Sequence, residues 1–504
     1  MAVTLYSGQI VGIHATPISV EIDISPGLHI FSIVGLADKE IQEARERISA
    51  AIRNLGALPP HKKSQRVIVN LAPADVKKEG PAFDIPIALG YLLASEQISF
   101  DPKGKLFLGE LGLDGTLRPI SGVLAIASIA RAIGCEEIVV PKGNGREASL
   151  IEGLRTTEAS TLLELIDHLE GRHIIPPTPY EERSIPLSYT SDFRDIKGQE
   201  KAKRALVIAA AGGHNILMTG PPGGGKTILA RALPSILPPL SFEESIEVTK
   251  IHSVAGLLRD GAPYVAHPPF RNPHHTSSHI SIIGGGAHPR PGEITLAHHG
   301  VLFLDEFPEF DRRVIESLRE PLEERRITVA RAQGTETFPA RFMLVAAMNP
   351  CPCGNYGSRD KACVCSAAAV LKYKKKISGP MLDRIDIHIE TSPVEFEKLA
   401  GGDAEPSEAV RAEVIRARLA QQKRFSGHGT STNADMGLQE IKKHIVLSDN
   451  LKKTLRLAHE QYGLSARAYH RVLKLSRTIA DLAGSDEISE NHIAEALQYR
   501  PKQD

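Results

Sequence analysis

The 504-residue sequence lacks long apolar runs, has only five cysteines, and shows no excess of either charge. No stretch approaches the roughly 18 consecutive apolar residues of a membrane-spanning helix, which argues against a membrane protein. The N-terminus has neither the basic start nor the apolar core of a signal peptide. So few cysteines without a secretion signal argue against a disulfide-bonded protein and predict a reducing, cytoplasmic location.

The 60 basic and 60 acidic residues give a formal net charge of zero. The chain as a whole therefore has no net attraction for a polyanion. A nucleic-acid partner would have to be recognised by a local concentration of basic residues. At 504 residues the chain is also too long for one hydrophobic core, so two to four domains are expected.

Apolar periodicity and composition predict an α/β protein with a helical C-terminal part. Residues 1–170 alternate short β-rich runs with helical stretches. Residues 171–190 are rich in proline, which is typical of an extended linker. Residues 191–395 form a second predicted α/β block, and residues 396–504 show the 3.6-residue period of helices.

A glycine-rich segment in the second block has the G-x-x-x-x-G-K-[ST] pattern of a phosphate-binding loop, or P-loop. A predicted strand, Asn215–Thr219, precedes it and a predicted helix follows, which argues against a simple glycine-rich turn. Small residues let backbone N–H groups surround phosphates at the start of that helix. We therefore predict ATP binding by Gly220, Pro221, Pro222, Gly223, Gly224, Gly225, Lys226 and Thr227.

Two residues of this loop have specific expected roles, and a later strand supplies two more. Lys226 is expected to reach the β- and γ-phosphates, and the Thr227 hydroxyl to bind Mg²⁺. The apolar strand that begins at Val301 ends in two carboxylates. Asp305 is expected to complete the magnesium site, and Glu306 to polarise the attacking water. An apolar strand that ends in two carboxylates is common and says little alone. Its position after the P-loop in the sequence makes it evidence for a magnesium site.

Asn349 stands at the end of a further predicted buried strand, Met343–Met348. Its amide could orient the water beside the γ-phosphate. The alternative is that Asn349 only shapes the turn before Pro350, because Asn-Pro is a common turn signal at a strand end.

Arg384 precedes the predicted strand Ile385–Ile389. P-loop ATPases often use an arginine to neutralise charge in the transition state, and Arg384 could supply it to the ATP of the next subunit. A structural ion pair with Asp383 or Asp386 is the alternative.

These elements, in this order, resemble AAA+ ATPases. Longer segments narrow the resemblance to the magnesium-chelatase-like ComM/YifB family, and it covers essentially the whole chain. The segments are Phe193–Glu200, Ala209–Asn215, Asn272–Thr276, Pro339–Phe342 and Met348–Gly354. The resemblance implies that Asn349 is sensor 1, that Arg384 is the arginine finger and that Arg467 is sensor 2. Arg471, one helical turn away, is a second candidate for sensor 2.

The resemblance also implies a function. Members of the ComM group look like homohexameric motors that use ATP and Mg²⁺ on single-stranded and branched DNA. They promote branch migration of recombination intermediates during natural transformation. The alternative is a magnesium-chelatase-type motor that remodels a protein partner. Such a motor would need partner subunits and is expected to lack the N-terminal domain of this chain.

Two segments of the first block, Gly80–Asp84 and Gly109–Gly122, resemble the Lon-type peptidase fold. That family uses a Ser–Lys dyad. Here the serine position holds Ala82, and the lysine position falls near Leu124. Neither side chain can supply a nucleophile or a base, so the resemblance implies a Lon-protease-like domain without peptidase activity.

The alternating residues of Arg326–Phe342 predict a β-hairpin. It resembles the pre-sensor-1 hairpin of minichromosome-maintenance helicases, which implies that Arg331 faces DNA. Segment 325–376 holds ten basic and two acidic residues, the local surplus that a phosphate-binding surface needs. Magnesium-chelatase motors share much of this hairpin, so it does not by itself establish a DNA partner.

Arg271–His299 contains six histidines. In related motors with a helix-2 insertion, this stretch forms a hairpin that projects into the pore of the hexamer. A metal site is the alternative, but the histidines lack the compact spacing of metal ligands.

Four cysteines lie within fifteen residues: Cys351, Cys353, Cys363 and Cys365. Four thiolates at this spacing can close a tetrahedral Zn²⁺ site, and the alternative is four reduced thiols in a loop. Cys135 is isolated and is expected in the core.

Overall fold

The computed structural model describes residues 2–62, 64–180, 189, 191–258, 264–286, 289–331, 334–357, 361–393, 405–426 and 430–501. The chain forms two compact units. Unit 1 comprises Met1–Ile185, Phe242–Val265 and His288–Pro291, and unit 2 comprises Pro186–Ser241, Ala266–Ala287 and Gly292–Asp504. Within the predicted linker, residues 171–180 form no helix or strand, and residues 181–188 and 190 lie outside the described residues.

The strands are numbered in chain order. They are β1 Val3–Val11, β2 His14–Pro26, β3 Ile30–Val34, β4 Gln65–Ala72, β5 Lys105–Phe107, β6 Glu110–Leu111, β7 Leu117–Arg118, β8 Glu137–Pro141, β9 Arg155–Ala159, β10 Ile216–Thr219, β11 Phe270–Arg271, β12 Gly284–Gly285, β13 Arg290–Pro291, β14 Val301–Leu304, β15 Arg326–Arg331, β16 Gly334–Pro339, β17 Met343–Met348 and β18 Ile387–Glu390.

The α-helices are numbered in the same way. They are α1 Lys39–Asn54, α2 Asp84–Ala94, α3 Val123–Ala132, α4 Gly145–Ala148, α5 Leu162–Leu169, α6 Glu200–Gly212, α7 Lys226–Ala232, α8 Phe242–Val254, α9 His279–Ile283, α10 Glu293–Leu296, α11 Arg312–Ser317, α12 Arg319–Glu324, α13 Ala367–Lys374, α14 Gly379–Leu382, α15 Ser407–Phe425, α16 Leu438–His444, α17 Asp449–Tyr462, α18 Ala466–Leu482 and α19 Glu490–Gln498.

Unit 1 is built on a seven-stranded mixed sheet with the order β3-β4-β2-β1-β5-β8-β9. Strands β1, β2 and β4 pair antiparallel, whereas β3, β5, β8 and β9 pair parallel to their neighbours. Asp38 is the N-cap of α1 and accepts a hydrogen bond from Ile41 N at 2.9 Å. Ala82 lies in the short turn before α2, and Leu124 lies in the buried first turn of α3.

Unit 2 contains a five-stranded sheet with the order β11-β14-β17-β10-β18, in which all neighbouring strands run parallel. Strands β14 and β17 are buried at every residue, as expected for a parallel sheet covered on both faces. Because the strands are parallel, their carboxyl ends meet at one edge of the sheet. The fold is thus a mixed α/β fold of the AAA+ type, with a helical C-terminal region.

The C-terminal helices share the core of unit 2 with α6. Helix α15 packs against α6 and α18, and α18 also packs against α19. A buried polar network reinforces this packing around Asp481, whose carboxylate accepts hydrogen bonds from Arg424, Arg477 and Asn433. Because burial disfavours the charged guanidinium, the pKa of Arg477 is lowered despite the attraction of Asp481.

Among the helices of the described residues, none combines the length and the apolarity needed to cross a membrane.

Replacing Asp481 with alanine should loosen the C-terminal helices strongly, because it leaves the buried guanidinium of Arg477 without its carboxylate. Removal of one partner from a buried ion pair costs about 3–5 kcal/mol. Native-state hydrogen exchange should show that opening free energy for amides of α18 falls by about this amount. The control is Lys452→Ala, which removes an exposed pair with Asp449 worth about 0–1 kcal/mol. Equal effects of the two changes would contradict the assignment.

Candidate nucleotide-binding site

The P-loop connects the end of β10 to the start of α7, which begins at Lys226. At Gly220 a side chain is excluded, since a Cβ atom there would lie 2.2 Å from Thr391 Oγ1. Gly225, the residue before the helix, has a φ of +75°, which favours glycine. The backbone therefore passes close to β18 and turns directly into a helix N-terminus, the geometry that cradles a phosphate.

Lys226 lies inside this loop. Its Nζ atom donates to Gly220 O at 2.6 Å, to Pro221 O at 2.9 Å and to Asn349 Oδ1 at 3.2 Å. Burial lowers the pKa of Lys226, while Asp305 and Glu306 act in the opposite direction. All three hydrogen-bond partners are neutral oxygen atoms and none is a carboxylate, so the ammonium group is available to an anion such as a phosphate.

Thr227 and Asp305 meet at the carboxyl edge of the sheet. Thr227 Oγ1 donates to Asp305 Oδ2 at 2.9 Å, and Asp305 directly follows β14. A hydroxyl and a carboxylate oxygen side by side are ligands that suit Mg²⁺. The two residues that the sequence assigns to magnesium are therefore adjacent in the structure.

Glu306 adopts a left-handed backbone conformation with a φ of +52°, and its carboxylate lies 3.0 Å from His275 Nδ1. The sequence did not single out His275 for this role. A signal was nevertheless present, because Asn272–Thr276 follows β11, the strand next to β14. Polar residues after neighbouring parallel strands meet at one edge. His275 is thus placed to hold the carboxylate that is expected to activate water.

Two further residues missed by the sequence analysis contact the P-loop. Thr391 follows β18, is 3% exposed and lies against Gly220, and its hydroxyl has no hydrogen-bond partner among the described residues. Gln199 precedes α6 and donates through Nε2 to Gly224 O at 3.2 Å. Both come from distant parts of the sequence, so only the fold shows that they line the loop.

Arg384 and Arg467 meet at one carboxylate, that of Glu323 in α12. Arg384 Nη2 lies 2.5 Å from Glu323 Oε1, and Arg467 Nη2 lies 3.9 Å from it. Both arginines therefore pair with Glu323 in the described contacts. The described hydrogen bonds of Lys226 are instead with the P-loop and with Asn349.

The neighbours of Arg384 have other partners. Asp383 pairs with Arg471 at 3.3 Å, and Asp386 pairs with His214 at 3.2 Å. Arg471, the second candidate for sensor 2, also donates to two backbone carbonyls and is largely buried. Its contacts are those of a structural residue that holds the segment after α14.

Strands β15 and β16 form an antiparallel hairpin, in which Arg331 pairs with Gly334 next to the tip. The side chain of Arg331 lies outside the described residues. Of the surrounding basic residues, Arg325 and Arg341 share the carboxylate of Asp435, at 2.6 Å and 4.0 Å. Burial raises the pKa of Asp435, but the two guanidinium groups lower it overall. These two arginines are therefore partly neutralised within the chain.

The remaining part of segment 325–376 is more exposed. Lys376 pairs with Glu309 at 2.7 Å, and Arg326 lies 3.7 Å from Glu324. Arg359 lies outside the described residues, whereas three lysines have exposed side chains: Lys361, Lys372 and Lys375. The surface charge of the segment is consequently smaller than its composition suggests.

Two histidines near the start of the histidine-rich stretch lie close together. The rings of His274 and His275 lie 4.2 Å apart, and His275 also packs against Phe310. The short helices α9 and α10 follow, and His288 lies outside the described residues.

The four clustered cysteines come together. The Sγ atoms of Cys351, Cys353 and Cys363 lie 3.4–3.7 Å apart, and all four sulfur atoms, including that of Cys365, lie within 4.8 Å of one another. Zn–S bonds of about 2.3 Å in a tetrahedral site place sulfurs about 3.8 Å apart, so the cluster fits zinc. Backbone N–H groups of Asn355 and Val364 lower the pKa of the Cys353 thiol to about 6. Backbone N–H groups also act to lower the pKa of the Cys363 and Cys365 thiols, but burial and the thiols of Cys351 and Cys353 outweigh them, so the pKa of both is raised. A metal would therefore have to displace the protons of Cys363 and Cys365.

A parallel five-stranded sheet with a P-loop, an acidic strand end and a polar strand end beside it defines a P-loop protein of the AAA+ type. Comparison with protein families narrows this class. The family described as magnesium chelatase, subunit ChlI, matches residues 192–399, its C-terminal family matches residues 404–500, and the family described as subunit ChlI of Mg-chelatase matches residues 20–144.

Individual relatives agree. The chain is 42% identical to competence protein ComM of Haemophilus influenzae, over 98% of this chain and 97% of the relative. It is 42% identical to the uncharacterized protein YifB of Salmonella typhimurium, over 97% of this chain and 95% of the relative. It is also 22% identical to DNA replication licensing factor mcm-6 of Caenorhabditis briggsae, over 70% of this chain and 44% of the relative. The chain belongs to the ComM/YifB family of magnesium-chelatase-like proteins.

Replacing Glu306 with glutamine should leave ATP binding intact and slow hydrolysis by about 10²–10⁴-fold, because a general base is lost while the phosphate cradle stays. Nucleotide binding and phosphate release on the same preparation measure the two effects. Lys226→Ala should instead lose nucleotide binding. Glu309→Gln, an exposed carboxylate three residues further on, is the matched control and should hydrolyse ATP normally. Near-normal turnover of Glu306→Gln would refute the role of Glu306.

Proposed function

We propose that this chain is an ATP-hydrolysing, homohexameric motor that moves along or remodels branched DNA, promoting branch migration of recombination intermediates. The observation that carries the ATPase part is the convergence of Lys226, Thr227, Asp305 and Asn349 at one edge of the sheet. The family and the distant relatives likewise suggest ATPase activity. The names of a competence protein and of a DNA replication licensing factor among the relatives support a DNA substrate.

The proposed chemistry assigns a role to each polar group. The P-loop backbone and Lys226 would hold the phosphates, while Thr227 and Asp305 would hold Mg²⁺, which neutralises phosphate charge when bound. Glu306 would take the proton of the attacking water, and the amide of Asn349 would orient that water. Asn349 accepts a hydrogen bond from Lys226, so a movement of Lys226 on loss of the γ-phosphate would also displace the Asn349 side chain at the end of β17.

Arg384 and Arg467 are proposed to act together on one nucleotide. Both lie on the carboxylate of Glu323, so they form one cationic site within unit 2. An arginine finger acts on the nucleotide of a neighbouring subunit, and the shared position means that Arg467 would face the same subunit interface. The pair with Glu323 would give way to the more strongly charged triphosphate.

A chelatase-type motor that remodels a protein partner is the second candidate. The expectation that such a motor lacks the N-terminal domain does not separate the two candidates, because a family named for subunit ChlI matches residues 20–144. The decisive measurement is the ATPase rate with and without single-stranded and four-way-junction DNA. Stimulation of the ATPase by DNA supports the proposed function. If DNA does not stimulate the ATPase and the protein shows no salt-dependent binding to DNA, the chelatase-type motor is favoured.

We also propose that the four clustered cysteines bind one structural Zn²⁺ per chain. The spacing of the four sulfur atoms, which matches that of thiolates around a tetrahedral Zn²⁺, supports this proposal.

Arg384→Ala should abolish hydrolysis and keep ATP binding, because the finger acts on the neighbouring ATP. Mixing it with Lys226→Ala protein should restore part of the ATPase activity at hybrid interfaces, where one subunit supplies the finger and the other the P-loop. Glu323→Gln is the control for a purely structural ion pair, and it should retain hydrolysis. Loss of activity in Glu323→Gln, with no rescue in co-assembled mixtures, would assign Arg384 a structural role instead.

Purified, untagged protein should contain about one zinc per chain if the four thiolates close one site. Elemental analysis measures the content. A variant carrying Cys363→Ser and Cys365→Ser should lose the metal, whereas Cys135→Ser, which changes a buried thiol of unit 1, should retain it. A content well below half an equivalent in the unmodified chain would exclude the site.

Arg331→Ala should weaken DNA binding alike for all sequences and lower the salt dependence of the affinity. Each phosphate neutralised contributes a log–log slope of about 0.9 on duplex DNA, so the slope should fall by about one. DNA-stimulated ATPase should fall while basal ATPase stays, because Arg331 is in a hairpin outside the P-loop. Arg313→Ala, which removes an exposed arginine paired with Asp311, is the control and should leave the slope unchanged. An unchanged slope in Arg331→Ala would refute the contact.

A further inference from the structure

The four-cysteine cluster begins directly after the residues of the candidate nucleotide-binding site in the sequence. Cys351 lies two residues after Asn349, and its carbonyl accepts a hydrogen bond from Gly354 N at 3.0 Å, which closes a tight turn. Gly354 is buried and has a φ of +80°. A Cβ atom at this position would lie 2.6 Å from Cδ of Pro222. The turn formed by residues 351–354 therefore packs directly on the P-loop.

Two more contacts join the P-loop to the same segment. Gly220 N donates to Met348 O at 3.1 Å, and Lys226 Nζ donates to Asn349 Oδ1 at 3.2 Å. Residues 348–354 thus touch the loop at its first residue, at Pro222 and at its lysine. A displacement of this segment has to displace the phosphate cradle as well.

The cysteines hold this segment against the chain that follows. Cys351 and Cys353 flank Pro352 on one side, and Cys363 and Cys365 approach from the other end of the loop. Thiols by themselves are weak hydrogen-bonding groups. A bound metal replaces these weak contacts by four metal–sulfur bonds and fixes both ends of the loop.

We propose that metal bound by the four cysteines braces the P-loop, so that occupancy of the metal site and affinity for nucleotide are coupled. This inference rests on the proposed zinc and ATP sites and adds an energetic link between them. Coupling between two binding sites is reciprocal: if the metal strengthens nucleotide binding by some factor, nucleotide strengthens metal binding by the same factor.

The test uses the full chain under reducing conditions, without DNA. Zinc is removed with a chelator and restored by titration, and the Kd of a fluorescent ATP analogue is measured in both states. Removal of zinc should weaken nucleotide binding by roughly 5- to 150-fold, the usual range of coupling between sites, and zinc should restore it. In competition with the chelator, the ATP analogue should tighten zinc binding by that same factor.

A pair of glycine variants separates the contact from loss of the metal. Gly354→Ala introduces a methyl group against Pro222, whereas Gly357→Ala meets nothing within 4 Å at a similar φ of +76°. Both changes impose backbone strain in the same loop, but only the first presses on the P-loop. Gly354→Ala should keep its zinc and lose nucleotide affinity, and Gly357→Ala should keep both.

The outcomes distinguish this inference from the proposed function. Two results would overturn the coupling between zinc and nucleotide and leave the ATPase proposal unaffected. The first is equal nucleotide affinity with and without zinc, and the second is equal nucleotide affinity of the Gly354→Ala and Gly357→Ala variants. Zinc-loaded protein that binds no nucleotide overturns the ATP site, and the brace with it. Unequal coupling factors measured from the two directions would also overturn the linkage.

Discussion

The position of the Lys226 ammonium group is the constraint on which the site depends. A buried cation needs oxygen partners, and here they come from the P-loop backbone and from Asn349 at the end of the next strand. These partners can only meet if β10 and β17 are parallel neighbours, which the register Thr219–Met348 provides. The same arrangement brings Asp305, at the end of β14, to Thr227. Sheet order therefore determines the chemistry of the edge.

The charged groups that are assigned to hydrolysis are paired with protein partners in the described arrangement. Glu306 faces His275, and Arg384 and Arg467 face Glu323. Because these side chains are partly or largely exposed, apart from Arg384, the contacts contribute little to stability, but each occupies a group that hydrolysis would require. Nucleotide binding would thus have to exchange partners at two places, at Glu306, the carboxylate proposed to activate water, and at the arginine pair. Exchange at the second place requires a neighbouring subunit if the arginines act between chains.

Local sequence patterns predicted the parts of the site that depend on neighbouring residues. The P-loop, the acidic end of β14 and the cysteine cluster each occupy a short segment with a characteristic spacing. His275, Thr391 and Glu323 were missed because their partners lie in other strands or helices. The basic segment shows the same limit. Its composition counts Arg325 as surplus charge, yet Asp435, 110 residues later, lies beside it.

Domain boundaries drawn along the sequence face a related difficulty. Helix α8 follows the P-loop helix in the chain, yet it belongs to unit 1, where it packs against α3. The hydroxyl of Ser253 in this helix donates to Glu147, a buried carboxylate that also accepts from Leu124 N at 2.7 Å and whose pKa is raised by burial. Periodicity shows that one face of a helix is buried, but it does not show which surface covers that face. Unit 1 therefore includes segments of the second predicted α/β block, and α8 is held in it by its packing on α3 and by the hydrogen bond from Ser253 to Glu147.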